Sequence, residues 1–203
     1  CRSRHNILCG IEKEKDKNHM MRIITGTARG VKLETLDGET TRPTSERAKE
    51  AVFSMLQFDI ENRSVLDLFG GSGQLALEAL SRGAKKAFIS DSDQSACEVI
   101  KRNAKKTKLF DRTRVVCSDC RAVIRNLSGR EKFGLIFLDP PYKSGLVPEM
   151  LEKLEKGELV ADGGLIVCES DSEQPFSLPG YELKKHAKYG RAYVTGLRKE
   201  GSE

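Results

Sequence analysis

The nine residues Val65-Leu-Asp-Leu-Phe-Gly-Gly-Ser-Gly73 constrain this chain more than any other stretch. An apolar run rich in β-formers ends in a carboxylate, an aromatic residue and a glycine-dense turn. Gln74 to Arg82 then reads as a helix, with Leu75, Leu77, Ala79 and Leu80 at its apolar positions. Strand, tight turn and helix form the shape that cradles a nucleotide-like ligand at the carboxyl end of a parallel strand. The glycines let the backbone approach that ligand where a Cβ would clash. Many unrelated strand-to-helix turns carry two glycines, so the rest of the chain must decide the ligand.

Downstream, strand and helix patterns alternate. Ala87–Ser90 is a strand ending at Asp91, Ser95–Lys106 a helix, and Arg114–Cys117 a third strand leading to Asp119. A short helix over Cys120–Leu127, a strand over Phe133–Leu138, a helix over 146–156 and a strand over Gly164–Glu169 follow. Tyr181–Lys185 and Ala192–Leu197 are the final strands. This alternation predicts an α/β fold of Rossmann-like type, a mostly parallel twisted sheet with helices on both faces. Ahead of it, Arg22 to about Leu36 reads as a β-hairpin. Thr44 is placed to cap a helix bearing Ala48, Ala51, Val52, Met55 and Leu56. The expected division is a disordered extension or tag over 1–20, a small hairpin-and-helix appendage over 21–58, and a catalytic domain over 59–203.

Composition narrows the class. The 203 residues are 38% hydrophobic and 32% charged, and no apolar run approaches the roughly 18 residues of a membrane span. The formal net charge is +5, concentrated in two clusters that are candidates for phosphate contact. Lys101–Arg114 holds seven basic residues against Asp111, and Lys184–Lys199 holds six with no acid. An ordinary solvated face is the alternative for each. The six cysteines form no secreted framework, and Cys117-x-x-Cys120 lacks the second pair or histidines of a zinc site. The expectation is a reduced cytoplasmic protein without a metal.

Four acids stand at successive strand ends: Asp67, Asp91, Asp119 and Asp139. In a parallel sheet those ends share the ligand-binding edge. Asp91 lies 18 positions after Gly73, near the offset of about 20 at which an acid meets ribose hydroxyls. Asp119 can accept from an adenine amino group. A helix N-cap is the alternative for any one of them. Gly71-Ser-Gly73-Gln-Leu-Ala76 also fits a loose dinucleotide fingerprint, which keeps a nicotinamide or flavin enzyme open. Asp139-Pro-Pro-Tyr142 discriminates further. Its prolines have no N–H, so carboxylate and carbonyls stand as acceptors with few competing donors. Asp139 and the Pro140 carbonyl can take the two N–H bonds of an exocyclic amine, and Tyr142 can stack on its base.

Asp139-Pro-Pro-Tyr together with Asp67-Leu-Phe-Gly-Gly-Ser-Gly resembles the class I S-adenosylmethionine-dependent methyltransferases that act on exocyclic amino nitrogens. Three further stretches resemble the RsmD family: Arg22-Ile-Ile-Thr-Gly-Thr-Ala-Arg-Gly, Thr41-Arg-Pro-Thr-Ser-Glu-Arg and Leu77-Glu-Ala-Leu-Ser-Arg-Gly-Ala. The resemblance runs from Met21 to about Arg198. It implies methylation of guanine N2 in bacterial 16S ribosomal RNA, within the small subunit or an assembly intermediate. It further implies that Asp67, Gly71 and Gly73 hold the methionine part of the cofactor, with Phe69 also a cofactor-binding position. Asp91 would bind the ribose and Asp119 the adenine. Arg22, Arg29, Arg42 and Arg47 are the candidates for holding RNA. The chain departs from the family pattern at Gly70 (usually Ala), Ala76 (usually Gly) and Asp91 (often Glu). Methylation of adenine N6 or protein glutamine is the alternative activity, and a non-catalytic RNA-binding module the alternative class.

Overall fold

The computed structural model describes residues 21–36, 43–141 and 144–201. The expected extension over 1–20 lies outside them. Its helices and strands, in chain order, are α1 (Pro43–Met55), β1 (Ser64–Asp67), α2 (Gln74–Ser81), β2 (Lys86–Asp91), α3 (Gln94–Lys106) and β3 (Thr113–Cys117). There follow α4 (Cys120–Leu127), β4 (Phe133–Leu138), α5 (Leu146–Lys156), β5 (Val160–Ser170), β6 (Tyr181–Tyr189) and β7 (Ala192–Lys199). One seven-stranded sheet runs in the order β3-β2-β1-β4-β5-β7-β6. The first five strands are parallel, and β7 enters antiparallel between β5 and β6. The strand order reverses between β1 and β4, the place where such sheets open a crevice for ligands.

Both sheet faces are buried, so each central strand divides its side chains by alternation. In β4, Leu135 and Phe137 join a core with Phe53, Leu77, Leu80, Ile89 and Ile100. Ile136 and Leu138 join the opposite core, with Val123, Ile124, Met150, Leu151 and Leu154. Helices α1–α3 therefore cover one face and α4–α5 the other. Phe53 and Phe137 meet at 6.1 Å between ring centres. Truncating either fully buried ring costs on the order of 3–5 kcal/mol.

The expected N-terminal hairpin is present as a short one: Arg22 bridges Lys32 antiparallel, and Ile23 N to Val31 O (3.0 Å), Gly30 N to Ile23 O (2.8 Å) and Leu33 N to Met21 O (2.8 Å) join its arms. Its turn is held in addition by α2. Glu78 accepts from the Ile24 and Thr25 amides at 2.7 and 3.0 Å. Ser81 Oγ accepts from Ala28 N (2.9 Å) and donates to Thr25 O (2.6 Å). Gly26 is required at the contact, because its φ is +86° and a Cβ would come within 1.9 Å of Ser81 O. Ile23, Leu33 and Leu56 sit in the same core as the sheet. Helix α1 begins one residue before the expected cap, at Pro43, a residue suited to a first helical turn. Strands β6 and β7 extend beyond the expected ranges because they pair with each other from Tyr181–Lys199 to Tyr189–Ala192.

Candidate active site

The carboxyl ends of the parallel strands meet at a cavity of about 480 Å³. All four strand-end acids, Asp67, Asp91, Asp119 and Asp139, line it, with Phe69, Gly71, Pro140 and Leu146. Among the described residues, no lysine, arginine or histidine does.

The glycine turn supplies one wall. Gly71 (φ +52°) and Gly73 (φ +79°) both take left-handed backbone, which favours glycine at each. Gly73 occupies the N-cap of α2 and donates to Gly70 O at 2.6 Å. It shapes the turn without lining the cavity. At Gly70 a Cβ would meet Ile89 Cγ2 at 2.6 Å and Ile100 Cδ1 at 2.8 Å. These isoleucines fill the space an alanine methyl would take, which accounts for the departure at that position. Behind the turn, buried Asn103 donates to Ser72 O and Glu34 O, both at 2.9 Å, and accepts from Glu34 N.

The acids are held differently. Asp91 is fastened by its backbone neighbours: Gly71 N donates to Oδ2 at 2.8 Å and Asp93 N to Oδ1 at 2.9 Å. Each oxygen keeps acceptor capacity for a diol. Asp119 caps α4 through Arg121 N at 2.9 Å, so the capping and cavity-lining readings both apply to it. Asp67 is 1% exposed and takes only a long bond from Phe69 N, 3.4 Å, together with the Ala76 amide. Burial first, then the nearby Asp91 charge, lifts its pKa from 3.8 to about 7. Asp139 is half-buried, Pro140 buried and Pro141 exposed.

The family described as "Conserved hypothetical protein 95" matches residues 21–197. The chain is 36% identical over 163 residues to the ribosomal RNA small subunit methyltransferase D of Escherichia coli K12, covering 78% of this chain and 81% of that one. The chain belongs to the RsmD family. The Haemophilus influenzae protein of the same name is 32% identical over 160 residues, covering 78% of this chain and 83% of its own. The solved structure of yhhF from Escherichia coli matches with a TM-score of 0.80 at 31% identity, over 90% of this chain and 99% of that one.

Among the RsmD-type site positions, Tyr142 lies outside the described residues, as does Arg42. Arg22, Arg29 and Arg47 are exposed. Arg29 follows the Gly26 turn at the Ser81 end of α2, so the length of that helix, about 12 Å, separates it from the cavity edge. Lys49, on α1 close to Arg47, is instead buried against Glu78 (3.6 Å) and donates to Arg22 O. The cavity also includes Ser72, Gln74, Ser92 and Cys120, which the sequence reading did not single out. Ser92 and Cys120 each directly follow a strand-end acid, and that adjacency was the available signal. Cys117 sits beside buried Cys97, whose thiol is pushed up to about 12 by burial and by that neighbour. Among the described residues all cysteines are free and none joins a metal-ligating cluster.

Proposed function

We propose that this protein transfers a methyl group from S-adenosylmethionine to the N2 amine of a guanine in 16S ribosomal RNA. The observation that carries the reading is the cavity lined by four carboxylates and, among the described residues, by no cation. A dinucleotide would bring a pyrophosphate into that negative field. A methyl donor bearing an ammonium and a sulfonium brings the opposite sign. The fit extends to Asp67, a buried and thinly hydrogen-bonded carboxylate suited to an ammonium. The names of the Escherichia coli and Haemophilus influenzae relatives support an rRNA substrate.

In this reading Asp67, Phe69 and the Gly71–Gly73 turn hold the methionine part, Asp91 the ribose and Asp119 the adenine. When bound, the donor supplies a methyl carbon already activated by a positively charged leaving group. The residues of the chain then have to prepare the nucleophile. The guanine amine delocalises its lone pair into the ring, and N–H bonds to Asp139 and the Pro140 carbonyl favour a localised pair. Tyr142 stacks on the base. Orientation and electrostatic placement supply the rate enhancement. The base must leave its stack to enter, in the manner of base flipping. The segment over 21–58 serves as an appendage whose Arg22, Arg29, Arg42 and Arg47 contact RNA, and the protein works in the cytoplasm on the small subunit or an assembly intermediate.

The test is mass mapping of 16S rRNA from cells with and without the gene. One N2-methylguanine disappears with the gene and returns when the purified protein and S-adenosylmethionine are added. An unchanged guanine methylation pattern overturns the substrate assignment.

A further inference from the structure

Four carboxylates on the cavity pose a problem for an RNA enzyme, because the phosphates flanking the target base are repelled from it. The cations that hold them must stand on the same sheet edge yet outside the cavity. Most charged side chains near that edge are committed to partners. Arg121 is paired with Glu149 at 2.6 Å and Lys101 with Glu98 at 2.8 Å.

The tip of the β6–β7 hairpin is different. Strand β5 ends at Ser170, and the antiparallel register sets Tyr193 opposite it. The Gly190–Arg191 turn therefore projects at the edge where the parallel strands end. Arg191 lies in this turn, Lys188 just before it and Lys185 further back on β6, opposite Gly196, and among the described residues none makes an ion pair with a carboxylate. Two of them lie against aromatic rings instead: Lys188 over Tyr193 at 5.1 Å and Lys185 over Tyr189 at 5.8 Å. A ring positions an ammonium without neutralising its charge. Glu173 is the acid that Lys188 senses, at a longer range than an ion pair.

The tip is also braced. His186 stacks on Tyr193 with 5.3 Å between centres and 9° between planes. Its Nδ1 meets Thr195 Oγ1 at 2.9 Å and its Nε2 meets Glu173 O at 3.1 Å, so Nε2 carries the proton. That second bond ties the hairpin to the loop after β5. The same loop contributes Asp171, Ser172 and Phe176, beside Ser170 at the end of β5, to a side cavity of about 150 Å³ shared with Pro140 and Pro141. The hairpin is thus tied to the loop that meets Pro140 and Pro141 at the acceptor end of the acidic cavity.

We propose that the β6–β7 hairpin tip is an RNA-gripping surface, on which Lys185, Lys188 and Arg191 hold phosphates beside the target nucleotide. This rests on the reading of the site as an rRNA methyltransferase. It assigns the grip to the end of the chain, in addition to the N-terminal arginines.

The test compares the full-length protein with its Lys185→Ala/Lys188→Ala/Arg191→Ala variant, whose melting temperature should fall by only a few degrees, because it loses two exposed ring contacts and no carboxylate ion pair. Binding is measured against 16S rRNA, naked and within the small subunit, over about 50–200 mM salt. The variant should bind more weakly, with a log–log salt slope shallower by about 2, from three contacts at about 0.7 each. Its KM for RNA should rise while kcat at saturation holds, and Lys188→Arg should bind like wild type. Equal slopes and equal KM overturn the assignment. So does a defect confined to the subunit with naked-RNA binding unchanged, which would give the tip to a ribosomal protein. A wild-type protein that methylates neither substrate overturns the functional reading itself.

Discussion

The ends of β1 and β4 are neighbours in the sheet but solve opposite problems. After β1, the glycine turn has its amides in use within the protein: Gly70 N to Ser90 O, Gly71 N to Asp91 and Gly73 N to Gly70 O. It is a rigid cradle, backed by Asn103. After β4, Asp139-Pro140-Pro141 offers acceptors, since two successive residues have no amide to donate. On the proposed reading one end holds the ligand still and the other draws an amine toward it. That reading gives binding and chemistry to separate strand ends, and mutations should separate them.

The largest effect is expected at β4. Asp139→Ala should lower kcat by at least about a hundredfold, the scale for losing one preorganised charge-stabilising group. Calorimetric affinity for S-adenosylhomocysteine should stay near wild type. Full activity in this variant would break the comparison. At the cradle after β1, to which Asp91 is bonded from the end of β2, the pattern should invert. Asp91→Ala should weaken S-adenosylhomocysteine by about ten- to a hundredfold, since it removes charged acceptors worth about 1.5–3 kcal/mol. Turnover at saturating donor should change little.

Asp67 sharpens the contrast through pH. Its folded pKa of about 7 lies above the ordinary 3.8, so between those values the folded state keeps a proton that the unfolded state has lost. Stability from this group is full below about pH 4 and falls by about 4 kcal/mol as pH rises to about 7. An ammonium ligand needs the ionised form, so S-adenosylhomocysteine affinity should rise by up to about tenfold per pH unit toward pH 7 and then level. Asp67→Asn should flatten both profiles; a pH dependence of affinity surviving in that variant would remove Asp67 from the ammonium site. The smallest effect on binding is expected behind the turn. Asn103→Ala leaves Ser72 O and the Glu34 backbone without partners and should cost about 2–4 kcal/mol of stability. Thermal melting would register this, with donor affinity reduced only a fewfold.

Much of this architecture was legible before any coordinates. The helices over 120–127 and 146–156 and the strand over 133–138 fall where the apolar periods place them, because buried strands and amphipathic helices leave strong local patterns. The N-terminal hairpin was legible too, but its seat was not, because the groups that hold its turn, Glu78 and Ser81, lie more than fifty residues away on a helix. No local rule links them. The burial of Lys49 is likewise set by distant Glu78 rather than by its neighbours on α1.

By itself, the sequence determined that acids would close successive strands, that glycines would turn the chain after the first, and that prolines would strip donors from the fourth. These are properties of local composition and spacing. Only the tertiary structure decided that the four acids line one cavity, that Gly73 shapes the turn without facing that cavity, and that the loop bonded to the β6–β7 hairpin shares a side cavity with Pro140 and Pro141. Those outcomes depend on strand order and on the antiparallel insertion of β7. Both are chosen by burial of two sheet faces at once, a global constraint that no single stretch of chain encodes.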